Sequence, residues 1–412
     1  MKPESEFKET CRQYLNSARP IQNVEHLKGR QHAHQRLVDA LNLPGKHAFI
    51  YGNRGVGKTS LAQTSARTVQ PTLPQQLLVA CDHSSTFESI CRDIIKRLLA
   101  FNPLLVGVHR KVSGGANFLG YGVNLSWDKS QAKLDVEIKT VNDVLNYIRF
   151  ANETIGHESI VIVDEFDVLT NTVEHKKFAI LLKQLSEQSI NVKLVFCGIS
   201  DSIDVLFAAH ESVHRCIHAE KLDRLSMAAR IEIIADAAEA LNMPVPSHMQ
   251  YRIAQASDGF PYYIHLICEK MFISAYRKNS ELITHDVFSE SLDEAIASIE
   301  PHLKTPYEDS IRKNSNNLEH ILWAIANDDL LEVQLTTIWK HYKKICSDLR
   351  IQEQNKQNLT TKLNNLSKPP YGSILSKPRR SYYTFTEKMM RGYARLVAMK
   401  AGVELGPENP GA

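Results

Sequence analysis

The chain has 412 residues, enough for two or three domains with cores of their own, and its 43% hydrophobic and 23% charged residues suit a soluble globular protein. No apolar run approaches the ~18 residues that span a bilayer, and the opening MKPESEFKETCRQYLNS lacks the apolar centre of a secretory leader. Seven widely spaced cysteines without a CxxC pair argue against a disulfide framework and a zinc site, and predict a reducing, cytoplasmic setting. The net charge of +3 hides an imbalance: residues 311–400 carry 16 Lys/Arg against 7 Asp/Glu, a net +9, which leaves −6 on the remainder. A basic C-terminal module on an acidic body points to an anionic partner.

In chain order, residues 1–26 read as a polar helical lead-in, and Leu27 to Leu41 as a helix whose leucines pack inward. HAFIYG (His47 to Gly52) is a short apolar run, predicted as a buried strand. GNRGVGKTS (Gly52, Asn53, Arg54, Gly55, Val56, Gly57, Lys58, Thr59, Ser60) follows and fits the phosphate-binding pattern G-x-x-x-x-G-K-[ST], with a helix predicted from Thr59 to Val69. Glycines let such a loop turn its N–H groups inward onto phosphate oxygens, and the new helix adds its positive end. Lys58 would reach the β- and γ-phosphates, and Thr59 would offer a hydroxyl to Mg²⁺. The pattern implies binding of a nucleoside triphosphate, with ATP and Mg²⁺ as the expected ligands.

QLLVACD (Gln76 to Asp82) is a second predicted strand and Phe87 to Leu99 a helix; glycine-punctuated residues 105–131 read as a β-hairpin insertion. After a helix from Thr140 to Asn152, SIVIVDEFDVL supplies a buried strand ending in Asp164-Glu165. At the carboxyl end of a strand beside the P-loop strand, Asp164 would hold Mg²⁺ and Glu165 would act as general base for a water attacking the γ-phosphate. Asp167 reads as a capping or surface residue. Lys193 to Phe207 is expected as a further strand with a polar turn at Ser200-Asp201, and Arg215 to Leu222 as a fifth strand. Five short strands alternating with helices predict an α/β parallel sheet over 27–222.

Residues 223–303 become wholly helical and read as a lid. From 315 to 401 three helices precede two short strands around the basic turn Lys377-Pro378-Arg379-Arg380, the pattern of a winged helix-turn-helix. The second of these helices is expected to bury Leu335, Ile338, Trp339, Tyr342 and Ile345. The third, Asn358 to Leu366, buries three leucines and leaves Thr361, Lys362 and Asn365 outward. Lys362, Lys377, Arg379 and Arg380 are the candidate contacts to double-stranded DNA. Residues 402–412 read as a flexible tail.

These motifs together resemble the AAA+ ATPases of the origin-recognition/initiator clade and their bacterial STAND-like relatives, over roughly Val24 to Lys400. The resemblance implies an adenine-side box at Gly29-Arg30, a sensor 1 position at Ser200-Asp201, and an arginine finger at Arg215 acting on a neighbouring subunit. It also implies that Pro261 of SDGFP sits near the nucleotide, as in the GxP motif of STAND NTPases. Where initiators carry a sensor 2 arginine, this chain has Tyr262, Tyr263 and His265, so the resemblance implies slow, regulatory turnover. Two functions follow from it: a nucleotide-driven DNA-associated assembly, working as a homo-oligomer, or a STAND-like switch, for example in phage defence, whose winged helix contacts a partner protein.

Overall fold

The computed structural model describes residues 2–71, 77–100, 116–118, 123–128, 133–155, 158–209, 213–312 and 318–407. They form two compact units, one of residues 20–53 and 57–223, the other of residues 1–19, 54–56 and 224–412. Helix α1 (Glu4–Tyr14) belongs to the second unit. The first then runs α2 (Gln31–Asn42), β1 (His47–Tyr51), α3 (Lys58–Val69), β2 (Leu77–Ala80), α4 (Phe87–Ala100), β3 (Ala116–Phe118), β4 (Val123–Asp128), β5 (Lys133–Val136) and α5 (Val141–Ile155). It continues through β6 (Ser159–Asp164), α6 (Thr172–Glu187), β7 (Val192–Gly198), α7 (Ser200–Ala209), α8 (Val213–Cys216) and β8 (Ile217–Lys221).

Five of these strands form one parallel sheet in the order β2-β6-β7-β1-β8. Ala48 of β1 stands opposite Val195 of β7, and Val161 of β6 opposite Leu194. All seven residues of β7 are buried, as a central strand covered on both faces requires. Phe49, Phe166, Phe178 and Phe196 meet edge-on or stacked beneath it, and this aromatic block anchors the turn that carries the acidic pair. Asp164 therefore lies one strand further from the P-loop than expected: β7, not β6, is the neighbour of β1. The predicted insertion is an antiparallel three-stranded sheet, β3-β4-β5, with Ala116 opposite Leu125 and Trp127 opposite Leu134. Residues 105–115, 119–122 and 129–131 of that prediction lie outside the described residues.

The second unit contains α9 (Met227–Leu241), α10 (Ser247–Ala256), α11 (Pro261–Arg277), α12 (His285–Ser298) and α13 (Pro301–Arg312). It ends with α14 (Leu318–Ala326), β9 (Val333–Gln334), α15 (Leu335–Asp348), α16 (Lys356–Leu366), β10 (Leu375–Ser376), β11 (Tyr382–Phe385) and α17 (Met390–Lys400). The three short strands pair antiparallel in the order β10-β11-β9. Side chains of Ser226, Thr284 and Asn355 cap α9, α12 and α16, each satisfying an amide the helix leaves open.

Both chain ends depart from expectation. The lead-in is an amphipathic helix with Phe7 and Cys11 buried, and Phe7 stacks on Tyr276 of α11 at 4.1 Å. At the other end, Val403 and Leu405 are buried, and the Pro407 carbonyl accepts from Gln255 Nε2 at 2.8 Å and Tyr251 at 3.2 Å. Residues 402–407 are thus a docked strap, because two apolar side chains and a carbonyl find partners on the lid; residues 408–412 lie outside the described residues. In α15, Ile338, Tyr342 and Ile345 are buried as expected, while Leu335 and Trp339 stay half-exposed.

Candidate functional site

The loop after β1 carries the phosphate-binding geometry in its backbone. Gly55 and Gly57 take φ values of 75° and 96°, which a side chain would strain. A Cβ built on Gly57 would meet nothing within 4 Å, so it is the φ of Gly57, not crowding, that calls for glycine. Lys58 Nζ donates to the carbonyls of Gly52 (3.1 Å) and Asn53 (2.9 Å), folded over the loop it would leave to meet phosphate. Val56 is buried and Arg54 is exposed. Ser60 is already committed: its Oγ accepts from the Ile21 amide at 3.1 Å.

Across the sheet top, Thr59 Oγ1 donates to Asp164 Oδ2 at 2.7 Å, joining two motifs 105 residues apart. The other oxygen, Oδ1, accepts from the Glu165 amide at 3.0 Å. Glu165 is exposed with φ of 55°, a conformation costly for a side chain with a Cβ and concentrated at functional sites. Two neighbouring thiols are inert: burial, helped by the Asp164 charge, pushes Cys81 up to about 12 and Cys197 well above its ordinary value. Asp167 sits in a short 3₁₀ turn, and the cap of α6 is Asn171, whose side chain accepts from Val173.

The segment before α2 runs along the P-loop helix, which sequence reasoning missed. The Ile21 carbonyl accepts from Thr64 Oγ1 at 3.0 Å, and Gln22 bonds Gln63 at 3.3 Å. Nothing in residues 20–23 signals this, since the bonds are mostly to backbone. Gly29 turns the chain at φ of 65° and Arg30 donates to the Asp223 carbonyl at 2.6 Å, with burial lowering its pKa to about 10. Ser200 and Asp201 do not form the expected turn: β7 ends at Gly198 and both lie in the first turn of α7. The side chain of Asp201 lies outside the described residues. Arg215 is exposed in α8, with its carbonyl accepting from Lys46 Nζ at 2.6 Å.

The lid turn is built around a residue the sequence hid. Asp258, 1% exposed, takes φ of 51° and receives Arg224, Arg391 (Nε at 3.0 Å) and Arg395 (Nη2 at 3.2 Å). Arg391 and Arg395 belong to α17 and are themselves buried, so one carboxylate ties the turn before α11 to the C-terminal helix. Burial lowers Arg391 to about 10 despite Asp258 beside it. At Gly259 a Cβ would lie 2.8 Å from the Leu225 carbonyl, so only glycine admits that approach. Pro261 occupies the first turn of α11, where its missing N–H is harmless. Tyr263 is buried with its hydroxyl donating to the Met389 carbonyl at 2.7 Å, and His265 is buried too, so both are packing residues of the lid.

Around β10 and β11, Arg379 lies with Cζ 3.7 Å from the Tyr382 ring centre and Nε 3.5 Å from Glu332. Lys377 Nζ sits 5.4 Å over the Tyr383 ring and 3.4 Å from Asn364 Oδ1. Arg380 is exposed at the same turn, whereas Lys362 is half-buried and burial lowers its pKa. Three of the four expected cations are therefore gathered in the turn between β10 and β11.

The sheet order, the P-loop and the Thr59–Asp164 pair define a P-loop ATPase fold of the AAA+ kind. Residues 43–206 match the family described as an AAA domain, and the chain carries that AAA+ fold. The Walker-type ATPase PABY2304 of Pyrococcus abyssi is similar in fold at 16% identity and a TM-score of 0.50, over 92% of this chain and 99% of that one. The ORC2 protein of Aeropyrum pernix, solved in ADPNP–ADP complexes, is similar at 12% identity and a TM-score of 0.52, over 97% and 99%. No curated protein matches the sequence. Among the described residues no helix is long and apolar enough to cross a membrane.

Proposed function

We propose that the protein binds and hydrolyses ATP and uses the nucleotide to control a DNA-associated assembly. The observation that carries this is the Thr59–Asp164 contact at 2.7 Å, two residues from the left-handed Gly57 of the loop. A hydroxyl and a carboxylate are the hard oxygen donors that Mg²⁺ takes with phosphate, so the residues fit ATP with its metal. When bound, Mg²⁺ neutralises charge on the β- and γ-phosphates. Amides of residues 55–60 and the start of α3 face the phosphates, and Lys58 exchanges its two loop carbonyls for phosphate oxygens. Asp164 and Thr59 hold the metal side. Glu165, exposed and with a left-handed backbone, is the base that accepts the proton of the attacking water. Gly29, Arg30 and the pinned segment at Ile21 form the base side, Pro261 is assigned to the nucleotide, and Arg215 serves a neighbouring subunit. Asp201 is assigned to water positioning. Turnover is slow and regulatory in this reading.

Residues 318–385 are read as a winged helix, with α16 for a groove and the turn 377–380 for phosphates. Replacing Lys377, Arg379 and Arg380 together with Ala tests this. Each phosphate neutralised contributes about 0.9 to the slope of log K against log salt, so the slope should flatten by roughly 2–3 units, with basal ATPase retained. Anisotropy titrations with duplex DNA at two salt concentrations measure it; no binding by the wild type at low salt, with ATP and Mg²⁺ present, sinks the DNA reading. The alternative, a STAND-like switch whose C-terminal module contacts protein, is favoured by the Asp258 cluster, which links the lid turn to α17. That alternative expects altered ATPase from the same triple variant.

A further inference from the structure

We propose that α16 reads A·T base pairs in the major groove of duplex DNA, an inference that rests on the DNA-binding reading above and adds the base class. Leu359, Leu363 and Leu366 are the buried side of this helix. Helical spacing then places Gln357, Thr361 and Asn364 in one line on the opposite side, flanked by Asn358 and Asn365. Gln357, Asn358 and Thr361 are exposed, and Asn364 and Asn365 half-exposed.

The chemistry of that line is one-sided. Guanine is read most often by Arg on O6 and N7, and cytosine by Glu or Asp accepting from its N4 amine. The eleven residues of α16, KQNLTTKLNNL, contain no Arg, Asp or Glu. Adenine is read by the amides of Asn and Gln on N6 and N7, and thymine by apolar contact with its methyl group. Gln357, Asn358 and Asn365 supply such amides. Thr361 donates its hydroxyl to the Gln357 carbonyl at 3.1 Å, so its proton is spent within the helix and its methyl is left for contact. Asn364 accepts from Tyr383 at 3.0 Å and from Lys377 at 3.4 Å, which fixes its amide group and leaves its N–H hydrogens to donate. Of the two lysines, which could also meet guanine, Lys356 stands at the helix start and Lys362 is half-buried on the flank. An acid-free helix, with a cationic turn beside it, is electrostatically open to a duplex.

The test uses the full chain with ATP and Mg²⁺ and three duplexes of one length, made of mixed A·T, mixed G·C, or inosine·cytosine pairs. Inosine·cytosine shows the major-groove edge of G·C but the minor-groove edge of A·T, so it separates the two grooves. Expected is binding of the A·T duplex about tenfold or more tighter than either other duplex, the discrimination that one or two such contacts supply. In Gln357→Ala/Thr361→Ala, both at exposed positions, that preference should fall to within about threefold, with an unchanged salt slope because phosphate contacts remain. Equal, salt-dependent binding of all three duplexes would overturn the base reading while leaving the DNA function standing. Equal preference for A·T and inosine·cytosine would overturn it in favour of minor-groove or shape recognition. Absence of binding to every duplex at low salt would remove both this inference and the DNA reading beneath it.

Discussion

Of the eight described non-glycine residues with a left-handed backbone, two stand where a charge is being positioned. Glu165, at φ of 55°, follows the strand that ends in Asp164. If it is held there for catalysis, Glu165→Gln should bind ATP normally and lose about 10²–10⁴-fold in hydrolysis, the contribution of a general base. Glu165→Gly should lose the same activity yet be as stable as the wild type within about 1 kcal/mol, or more stable, because glycine relieves the left-handed strain. Lys58→Ala should abolish binding itself, since it removes the cation facing the phosphates; calorimetric titration with ATP separates these variants. Asp258 is the second case, at φ of 51° among three arginines. Asp258→Asn leaves two buried guanidinium groups without their counter-charge, and breaking a buried pair costs about 3–5 kcal/mol. Denaturant unfolding followed in the lid and C-terminal unit should show that loss. A change below about 1 kcal/mol would mean that the backbone carbonyls around Arg391 and Arg395 suffice without the carboxylate.

At the level of elements, β1 carries its own pH dependence. His47 opens the strand fully buried, its Nδ1 accepting from the Leu194 amide at 3.1 Å, and burial chiefly, with the Lys193 charge adding to it, lowers its pKa from 6.5 to about 4. The unfolded chain takes up this proton first as pH falls, so His47 contributes full stability above about pH 6.5 and loses it progressively down to about 4. The size is about 3 kcal/mol at ~1.4 kcal/mol per unit. His34, His175 and His320 are shifted the same way by burial. Stability measured between pH 7 and 4 should therefore decline steeply, and His47→Gln should decline less; an unchanged slope would remove His47 as a cause. His47 was legible in the sequence only as part of an apolar run, because the partner that fixes its tautomer lies on β7. The same limit explains the other gaps. The five strands and the P-loop are local patterns of apolar runs, glycines and one lysine, and they could be read directly. The Asp164-Glu165 pair was legible as a motif, but that β7 intervenes between its strand and β1 is a matter of tertiary pairing. Nothing in SDGFP marks Asp258 out, since its arginine partners on α17 stand far along the chain. The start of α7 at Ser200 looks like a turn in the sequence because two small polar residues and an acid suit turns, though they serve equally well to open a helix.

Over the whole molecule, the proposed ATPase calls for a nucleotide site completed by a second copy of the chain. Phosphoryl transfer needs positive charge at the γ-phosphate beyond Lys58, and an arginine supplied in trans raises turnover about 10³–10⁵-fold in related chemistry. Arg215 is exposed in α8, two residues before the edge strand β8. The proposal above has it serve the nucleotide of a neighbouring subunit. If it does, hydrolysis should rise faster than linearly with protein concentration, because the competent unit is an interface. Arg215→Ala and Glu165→Gln should each be inactive alone. Mixed together they should recover part of the activity, since one interface in the mixture pairs an intact Arg215 with an intact Glu165. A rate strictly proportional to concentration, with no recovery on mixing, would assign Arg215 to the surface and leave hydrolysis to the single chain.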